Sequence, residues 1–595
     1  MKKGKETTAE TKKVVYHVFT RLFGNTNTTN KPWGTIEENG VGKFKDFTPK
    51  ALTAIKKLGV THIWFTGVPH HALINDYTAI GISNDHPTVV KGRAGSPYAV
   101  KDYYNVNPDL AVKPENRLQE FEDLIARTHA AGMKVIIDIV PNHIARKYEG
   151  KTNPRGVKDF GANDDTTVEY SKNNNFYYIP NSQFEVPDIV PPLGGEYDAS
   201  QHEPFIEIPA KWTGNGSRMA KPDRNDWYET VKINYGVRPD GGYDFPFLPW
   251  GYDTESYKVH FDFWKDKDIP DSWKKFRDIA LYWTKKGVDG FRYDMAELVP
   301  FEFWSYLNSS IKMKNPEAFL MAEVYNPDQY YNYIKMGKMD YLYDKVGTYD
   351  KLKDVIQGRS WPDELSHIQQ HLSGIEHHML KFLDNHDEQR LASPEFAGTP
   401  EHGKPLMVVS ATISTSPVMI YFGQEVGEAA NEDGGFGTRS RTSIFDYVGV
   451  PAHQRWMNNG KFDGGQLSES EASLRDFYKR LLNFTLGSSA LMGEFQEIQF
   501  ANRYHVEGYD TGIYSYVRWS DSQKLIVVAN FSSDNSSTFE LKIPHLVIKK
   551  WDLADGTYKL IDQLYKKTKL TLTVTHGEGV VPMTIAPSES LILQL

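Results

Sequence analysis

Acidic, histidine and arginine side chains recur at the ends of short apolar runs in this chain. The runs end in the segments IIDIVPNH, GFRYD, MAE and LDNHD. The polar residues they contribute are, in chain order, Asp138, Asn142, His143, Arg292, Asp294, Glu323, His386 and Asp387. Carboxylates beside histidine and arginine can transfer protons, attack as nucleophiles or bind hydroxyl groups. These residues are therefore candidates for acid, base and nucleophilic catalysis.

Each candidate also has a purely structural explanation. Arg292 and Asp294 are two positions apart, and alternate residues of a strand share a face, so the two charges could form only an ion pair. A lone Glu at a strand end, such as Glu323, is usually a helix cap or solvated, and an Asn-His pair usually belongs to a turn. Because four separate strands end in such residues, an active site is the better explanation.

Eight short apolar runs of β type alternate with amphipathic helical stretches, which include Glu115 to Ala131 and Pro270 to Lys286. The predicted strands are Val14 to Phe19, Val60 to Phe65, Lys134 to Val140, Val288 to Asp294, Ala318 to Val324, Met339 to Asp344, Met379 to Asn385 and Val418 to Gln424. Eight such units over roughly 470 residues predict an α/β fold, a (β/α)8 TIM barrel. Since catalytic groups of such barrels lie at the carboxyl ends of strands, the candidates should meet at one mouth.

Two regions depart from this alternation. From Asn142 to about Lys267 the chain is rich in Asn, Asp, Pro, Gly and aromatic residues, and this length predicts a small subdomain inserted after the third strand. From about Glu497 the runs GIYSYVRW, KLIVVANF, TFELKI, YKLIDQL, LTLTVT and SLILQL predict a C-terminal all-β sandwich. The predicted organisation is a disordered tail at 1–13, a barrel at 14–143 and 268–490, the insertion at 144–267 and the sandwich at 491–595.

The composition limits the possible partners. The 595 residues include 68 Lys+Arg and 77 Asp+Glu, and a net charge of −9 argues against nucleic acid as a partner. The absence of Cys excludes disulfides, thiolate metal sites and cysteine nucleophiles. Aromatic residues make up 13% of the chain, with 34 Tyr, 31 Phe and 13 Trp, an excess that suits the stacking of rings on sugars.

The segments IIDIVPNH, GFRYD, FLMAEV and FLDNHD, in this order on the third, fourth, fifth and seventh strands, resemble the four signature regions of the α-amylase family, glycoside hydrolase family thirteen. The resemblance extends over nearly the whole chain. It includes LGVTHIWFTGV on the second strand, the following SPYAVKDYY loop, IYFGQE at the eighth strand, the long insertion and the β-rich C-terminal region.

This resemblance implies that Asp294 is the nucleophile, Glu323 the general acid/base and Asp387 a carboxylate that binds sugar hydroxyls and stabilises the transition state. A retaining glycosidase needs two carboxyl groups about 5 Å apart across the scissile bond. Arg292 is expected to keep Asp294 ionised by charge pairing. The neighbouring negative charges are expected to keep Glu323 protonated.

The resemblance also implies substrate contacts. His143 and His386 match histidines that bind hydroxyl groups of the sugar being cleaved, and Tyr98 matches a tyrosine that stacks under the same sugar. Tyr98 could instead be a simple core residue.

The sequence departs from the family after Asp294. Small residues and a Lys-His pair commonly follow there, whereas this chain has MAELVP, with Glu297 and Leu298 at the positions of that pair. Contacts to the sugar on the acceptor side must therefore differ from those of a typical α-amylase.

A second departure concerns calcium. The family's site uses the residue matched by Asn142 together with an Asp of the insertion, but in WYETVKINY that Asp is replaced by Lys232. An ammonium group can donate to the oxygens that calcium would bind, whereas calcium needs several oxygen ligands. We therefore predict that no cofactor is required, that there is no metal ligand set, and that calcium is absent from the usual family site.

The predicted function is retaining hydrolysis of internal α-1,4 bonds in starch, pullulan or maltooligosaccharides, as in α-amylases and neopullulanases. Two alternatives are an α-glucan transglycosidase, in which a sugar replaces water, and a non-catalytic glucan-binding protein, which the three carboxylates disfavour. The expected partner is an α-glucan, with no transmembrane segment. A secreted or periplasmic location is favoured because starch is too large to enter a cell, although the chain as given shows no export signal.

Overall fold

The structure is a computed structural model that describes residues 11–187, 191–566 and 568–595. Eight parallel strands close into a barrel in which each strand pairs with the next along the chain. They are β1 (Val14–Phe19), β2 (His62–Thr66), β3 (Lys134–Ile139), β4 (Gly290–Tyr293), β5 (Phe319–Ala322), β6 (Tyr341–Tyr343), β7 (Met379–Phe382) and β8 (Val418–Tyr421). The predicted TIM barrel is confirmed, with all eight strands where the apolar runs place them.

Helices surround the barrel, so the strands are buried on both faces, which explains their nearly continuous apolar runs. The helices are α1 (Pro49–Lys57), α2 (Arg117–Ala130), α3 (Tyr257–Trp264), α4 (Asp271–Lys285), α5 (Phe301–Lys314), α6 (Asp350–Ile356), α7 (Glu364–His371), α8 (Pro400–Thr412), α9 (Pro451–Met457) and α10 (Glu469–Gly487). Shorter helices cover Thr20–Phe23, Ile36–Asn39, Gln499–Arg503 and His545–Lys550. The two helices predicted from amphipathic spacing, α2 and α4, are confirmed to within two residues at each end.

Local sequence signals account for several helix ends. Thr48 caps α1 by accepting a hydrogen bond from the Ala51 N–H, and Pro49 occupies the first helical position, where its missing N–H costs nothing. Ser468 and Glu471 form a capping box at the start of α10. After β5 the chain forms the π-helix Asn332–Met336 instead of a long α-helix.

The insertion after β3 has little regular structure. The strand His143–Ala145 pairs antiparallel with Thr230–Lys232, and Tyr178–Ile179 pairs with Ala210–Lys211. Phe184, Ala210 and Tyr228 of the insertion pack with Val89, from the chain between β2 and β3, in a small apolar cluster. Because His143–Ala145 follows β3 closely, its partner Thr230–Lys232 also lies beside the carboxyl end of β3.

The C-terminal region is built mainly of strands, as predicted, and these strands form one antiparallel sheet. They are β9 (Glu494–Glu497), β10 (Ile513–Trp519), β11 (Lys524–Asn530), β12 (Ser537–Ile543), β13 (Gly556–Asp562), β14 (Lys569–Thr575), β15 (Glu578–Ile585) and β16 (Ser590–Gln594). The order across the sheet is β9, β10, β11, β16, β13, β14, β15, β12. Six of these strands match the predicted runs, and β9 and β15 are additional.

A buried arginine attaches this sheet to the barrel. Arg518 of β10 is fully enclosed and donates hydrogen bonds to the carbonyls of Ile413 (2.8 Å), Leu491 (2.8 Å) and Gly493 (3.0 Å). Buried carbonyls that end a helix or turn need donors, and one guanidinium satisfies three of them here. The sheet is thus fastened to the end of α8 by hydrogen bonds as well as by apolar packing.

The N-terminal tail is only partly described. Residues 1–10 of the predicted disordered tail lie outside the described residues, while Lys12 is buried and donates to the Ser414 carbonyl at 2.6 Å. In the part of the chain that the structure describes, no helix is both long enough and apolar enough to cross a membrane.

Candidate active site

A fully buried arginine lies at the centre of the barrel mouth. The terminal nitrogens of Arg292 bond Asp294 at 2.7 Å and Glu323 at 2.8 Å. One of them also lies 3.4 Å from Asp138, and the other lies 4.0 Å from Asp387. One cation therefore contacts four carboxylates from four different strand ends, and the structure brings together the three carboxylates that the sequence singled out.

Strand register explains this convergence. Arg292 is paired with Asp138 of β3 on one side and with Met321 of β5 on the other. Asp294 lies two residues beyond Arg292, on the same face, just after β4 ends. Glu323 lies directly after β5, and its Oε2 accepts a hydrogen bond of 3.0 Å from the N–H of Met295. The residue after Asp294 thus binds Glu323, which keeps the two carboxyl groups close.

Met295 has a left-handed backbone conformation, with φ 44° and ψ 41°. This conformation is unfavourable for a residue with a side chain, and it persists where the surrounding structure requires it. Here it turns the Met295 N–H toward Glu323.

Aromatic side chains fix the orientation of the guanidinium. The Arg292 Nε donates to the Tyr343 hydroxyl at 3.2 Å, and the Trp64 Nε1 donates to Asp138 at 2.9 Å. The Arg292 Cζ lies 5.2 Å from the ring centroid of Trp64 and 5.3 Å from that of Tyr98. A charge enclosed in this way cannot be relaxed by water, so its direction is set before any ligand binds.

The residues predicted to bind sugar hydroxyls lie on the same mouth. His386 Nε2 hydrogen-bonds both the Tyr98 hydroxyl and, at 3.0 Å, Asp387 Oδ2. The rings of Tyr98 and His386 are stacked, with centroids 5.3 Å apart. Asp387 is the most exposed of the central carboxylates, with 38% of its side chain accessible. Tyr98 is therefore part of the site and not only a core residue.

His143 is held in one tautomer. Its Nδ1 lies 3.0 Å from the Asn142 side-chain nitrogen, which can only donate, so the ring proton lies on Nε2. That nitrogen is 3.9 Å from Asp294 Oδ2. Burial lowers the pKa of His143 to about 3, so the imidazole is neutral at neutral pH. His143 can thus donate a hydrogen bond toward the space beside Asp294.

Lys232 lies behind Asn142. Its ammonium donates to Asn142 Oδ1 and lies 3.4 Å from the Leu298 carbonyl, and burial lowers its pKa to about 8. A positive charge at the Asn142 oxygen is incompatible with a divalent cation at the same oxygen. The residues at the family's usual calcium position therefore do not fit calcium.

The pKa of Asp294 is not set by its ion pair with Arg292 alone. Burial raises the pKa of Asp294 well above its ordinary value, the charges of Glu323 and Asp387 add to the shift, and Arg292 only partly opposes it. Arg292 lowers the pKa of Asp294, as charge pairing predicts, but the loss of solvation on burial outweighs this effect. Burial also raises the pKa of Asp138. Burial thus makes both of these carboxyl groups harder to ionise than exposed ones.

Asp387 behaves in the opposite way. Although burial alone would raise its pKa, His386 and Arg292 hold the pKa of Asp387 below its ordinary value. The pKa values of Asp294 and Asp387 are therefore shifted in opposite directions by their surroundings.

Sequence reasoning missed two residues of the site. His17 of β1 stacks on Trp64 with ring centroids 3.7 Å apart and meets His386 edge-on at 5.1 Å. Tyr325 lies near Glu323, and burial together with the charges of Glu323 and Asp387 raises the pKa of Tyr325. Their positions in the sequence could have indicated both residues, because Tyr325 follows Glu323 by two residues at the end of β5 and His17 lies on a barrel strand.

Glu297, one of the residues that departs from the family pattern, has a structural role. One of its carboxylate oxygens accepts hydrogen bonds from the N–H groups of Tyr325 and Asn326, both at 2.9 Å. It therefore anchors the loop after β5, which carries Tyr325, to the loop after β4.

Residues 17–449 match the family model described as "Alpha amylase, catalytic domain". The chain belongs to the α-amylase family. The match spans both the barrel and the insertion, and it confirms the identification made from the four signature segments. The protein is thus an α-amylase family glycoside hydrolase.

Relatives within the family differ in specificity. A cyclomaltodextrinase from Bacillus sp is 23% identical over 448 residues, which are 71% of this chain but only 60% of that protein. Neopullulanase 2 from Thermoactinomyces vulgaris is 21% identical over 611 residues, covering 98% of this chain and 77% of that protein. The crystal structure of a noncanonic maltogenic α-amylase from Thermotoga neapolitana superposes with a TM-score of 0.59 and 17% identity, covering 98% of both chains. This last similarity shows the fold alone.

Proposed function

We propose that this α-amylase family protein hydrolyses internal α-1,4-glucosidic bonds of starch, pullulan or maltooligosaccharides with retention of configuration. The observation that carries the proposal is that one guanidinium, Arg292, binds both Asp294 and Glu323. The backbone of Met295 also links the two carboxyl groups. Closely spaced carboxyls are the arrangement that a double displacement requires, whereas inversion needs room for a water molecule between them.

In the first step, the Asp294 carboxylate attacks the anomeric carbon while the bond to the leaving sugar breaks. The proton of the Glu323 carboxylic acid passes to the leaving oxygen. In the second step, Glu323 removes a proton from water, whose oxygen displaces Asp294 from the same carbon and regenerates both carboxyl groups.

The remaining groups of the mouth bind the sugar that becomes attached to Asp294. Asp387 and the Nε2 proton of His143 face hydroxyl groups, and the ring of Tyr98 supports the flat side of the sugar. Asp387 is suited to accept hydroxyl hydrogen bonds because its lowered pKa keeps it charged. Hydrogen bonds that tighten as the ring flattens stabilise the transition state more than the ground state.

We also propose that the Lys232 ammonium replaces calcium in this protein. It donates to Asn142 Oδ1, and the Asn142 nitrogen in turn fixes the tautomer of His143. The expected result is an activity that needs no added metal.

Transglycosylation is the second candidate function, and the residues on the acceptor side of the site support it. Leu298 is 42% exposed there, and Glu297 is engaged with the loop after β5, so neither supplies the Lys-His contacts common in the family. An exposed apolar surface holds a sugar acceptor better than it holds water.

A product profile tests these proposals. Wild-type protein is incubated with amylose, pullulan and maltoheptaose, with the Asp294→Asn variant as the inactive control. Only shorter products would support hydrolysis, and a trisaccharide from pullulan would support the neopullulanase type. Chains longer than maltoheptaose would establish transfer, and starch binding without any cleavage would support a purely glucan-binding protein.

We further propose that the protein works outside the cytoplasm, where polymeric starch is accessible. Fractionation of the native cells with an antibody against the protein tests this. Recovery in the cytoplasmic fraction would limit the substrate to imported oligosaccharides.

A further inference from the structure

We propose that three exposed aromatic residues, Tyr243, Phe247 and Trp250, bind the glucose units of the leaving or accepting part of an α-glucan chain. We call these residues the acceptor ridge. The inference rests on the proposed function and extends it, because it assigns a binding surface to the side of the site where the sequence departs from the family.

The exposure of these side chains is unusual for the molecule. Trp250 is 100% exposed, Phe247 59% and Tyr243 49%, whereas tryptophans such as Trp64, Trp273 and Trp304 are completely buried. A single exposed apolar residue needs no explanation, but several large rings in one eight-residue segment indicate a binding surface.

Two of the three ridge residues are anchored to the core. Between Tyr243 and Phe247, Phe245 points inward and packs on Trp273, with ring centroids 5.2 Å apart. The ring of Phe245 also contacts Tyr243 at 5.3 Å and Phe247 at 6.0 Å. The alternation of outward, inward and outward rings thus anchors Tyr243 and Phe247.

Polar contacts hold the same segment. Asp244 accepts a hydrogen bond from the Tyr170 hydroxyl at 2.7 Å and forms an ion pair with Arg238 at 2.7 Å. Pro246 and Pro249 restrict the backbone on either side of Phe247. Rings that are fixed before binding lose little conformational entropy when a ligand stacks on them.

The ridge lies next to the loop that carries the proposed general acid. The Tyr331 hydroxyl donates to Asp253 at 2.7 Å, and Lys338 donates to the Glu255 carbonyl at 2.5 Å. Both donors belong to the segment after β5, and the acceptors lie three and five residues after Trp250 in the chain.

The segment after β5 also reaches the loop that carries the exposed Leu298. The Tyr333 hydroxyl donates to the carbonyls of Glu297 and Val299, both at 2.9 Å. Because Tyr331 of the same segment is bonded to Asp253, this segment links the chain that follows the ridge to the loop of Leu298.

The reaction determines which part of the substrate lies on the acceptor side of the site. The general acid gives its proton to the oxygen of the leaving sugar, so the leaving chain extends past Glu323 and away from Asp294. Aromatic faces stack on the C–H faces of sugar rings and need no charge on the ligand. A neutral α-glucan chain is therefore the ligand that fits both the position and the chemistry of the ridge.

The test compares a short and a long substrate. In the double variant Phe247→Ala/Trp250→Ala, kcat/KM for maltoheptaose should fall about tenfold, mostly through KM, because two stacking contacts are lost in ground state and transition state alike. For maltotriose, which places at most two glucose units beyond the cleaved bond, we expect the change to stay below about twofold. The matched control is Trp361→Ala, since Trp361 is also exposed (58%) but packs on Arg503 of the C-terminal region.

Binding is measured separately with Asp294→Asn as the background. Calorimetry should show weaker maltoheptaose binding when the two ridge substitutions are added. Equal losses for both substrates, or no loss for maltoheptaose, would overturn the ridge while leaving the hydrolase proposal intact. A wild-type protein that cleaves neither substrate would overturn the proposed function, and the calorimetry would then decide alone whether the ridge binds glucan.

Discussion

The two sides of the active-site mouth are built in opposite ways. Around Arg292, the side chains of Asp138, Asp294 and Glu323 are almost fully buried, and their oxygens bond a cation or a backbone N–H. On the acceptor side, Leu298 and the acceptor ridge expose apolar surface to solvent. The first region is an enclosed electrostatic network and the second is an open aromatic surface.

This difference reflects what each side must do. Groups that make and break bonds must be oriented before the substrate arrives, since reorganisation during the reaction raises the barrier. A surface that holds chains of different length can remain open and can change without disturbing the chemistry. The sequence accordingly matches its family at Asp294 and Glu323 but departs from it at Glu297 and Leu298.

The largest effect should come from removing the nucleophile. Asp294→Asn should lower kcat on maltoheptaose at least about 10³-fold, because an amide cannot form the glycosyl ester. Maltoheptaose binding should change little, which calorimetry can verify. A variant that kept more than about one per cent of the rate, beyond what deamidation explains, would contradict the assignment of Asp294.

Replacing the central cation should have the next largest effect. Arg292→Lys keeps the charge but loses the planar fork that binds two carboxyl groups, so kcat/KM should fall about 10²-fold and the melting temperature should drop. Arg277→Lys is the matched control, because the Arg277 ion pair with Asp278 is partly exposed to solvent. A similar loss in both variants would mean that the geometry of Arg292 is not special.

Substitution of Lys232, which lies behind Asn142, should change the metal dependence of the activity. EDTA should leave the activity and melting temperature of the wild type unchanged. Lys232→Asp should lower activity about tenfold by placing an unpaired carboxylate beside Asn142, and millimolar calcium should restore it. Loss of wild-type activity in EDTA would show that calcium binds despite Lys232.

Removal of the Tyr325 hydroxyl should have a smaller effect on activity. Tyr325→Phe removes a polar hydroxyl near Glu323 and should lower kcat about fivefold. Because Tyr325 acts through Glu323, the pH profile of kcat should shift as well, which a purely structural role would not produce. An unchanged profile would leave Tyr325 as a packing residue.

The smallest effect concerns stability. Folding raises the pKa of Asp294. At pH values between the pKa in the unfolded state and the pKa in the folded state, the folded protein binds more protons than the unfolded chain. The free energy of unfolding therefore falls as pH rises through that interval. Asp294→Asn should therefore raise the melting temperature by about 2 °C at pH 7.5 and by less at pH 4.5.

Asp387→Asn is the control of opposite sign. The pKa of Asp387 is lowered in the folded state, so its carboxylate contributes stability that is present at neutral pH and lost in acid. This variant should melt at a lower temperature than wild type at pH 7.5. Equal shifts in both variants would show that the two carboxylates do not differ as described.

The barrel strands could be predicted because burial on both faces makes them short apolar runs, as in KVIIDIV. Two C-terminal strands could not. Glu494–Glu497 is an edge strand with no buried pattern, and Glu578–Ile585 contains Pro582, which argues against a strand in sequence-based reasoning. In the structure, Pro582 is paired with Glu540 of β12.

The central residues of the site could be predicted from their positions at strand ends, but their energetics could not. Charge pairing alone predicts that Asp294 is easily ionised, whereas the depth of its burial reverses the shift. The depth to which Asp294 is buried depends on how rings such as Tyr98 and Trp64 cover the mouth of the barrel. The same limit applies to His17, whose role depends on the face that its strand turns inward.

The closure of the barrel also determines when this protein can fold. β1 pairs with β8 from Val14 to Val418, so the first strand remains without one of its neighbours until the eighth has been synthesised. Pairing over such a sequence distance carries a large loop-closure entropy and makes folding slow. During translation the exposed edge of β1 is available for wrong pairing, so we expect the nascent chain to depend on chaperones until the eighth strand emerges.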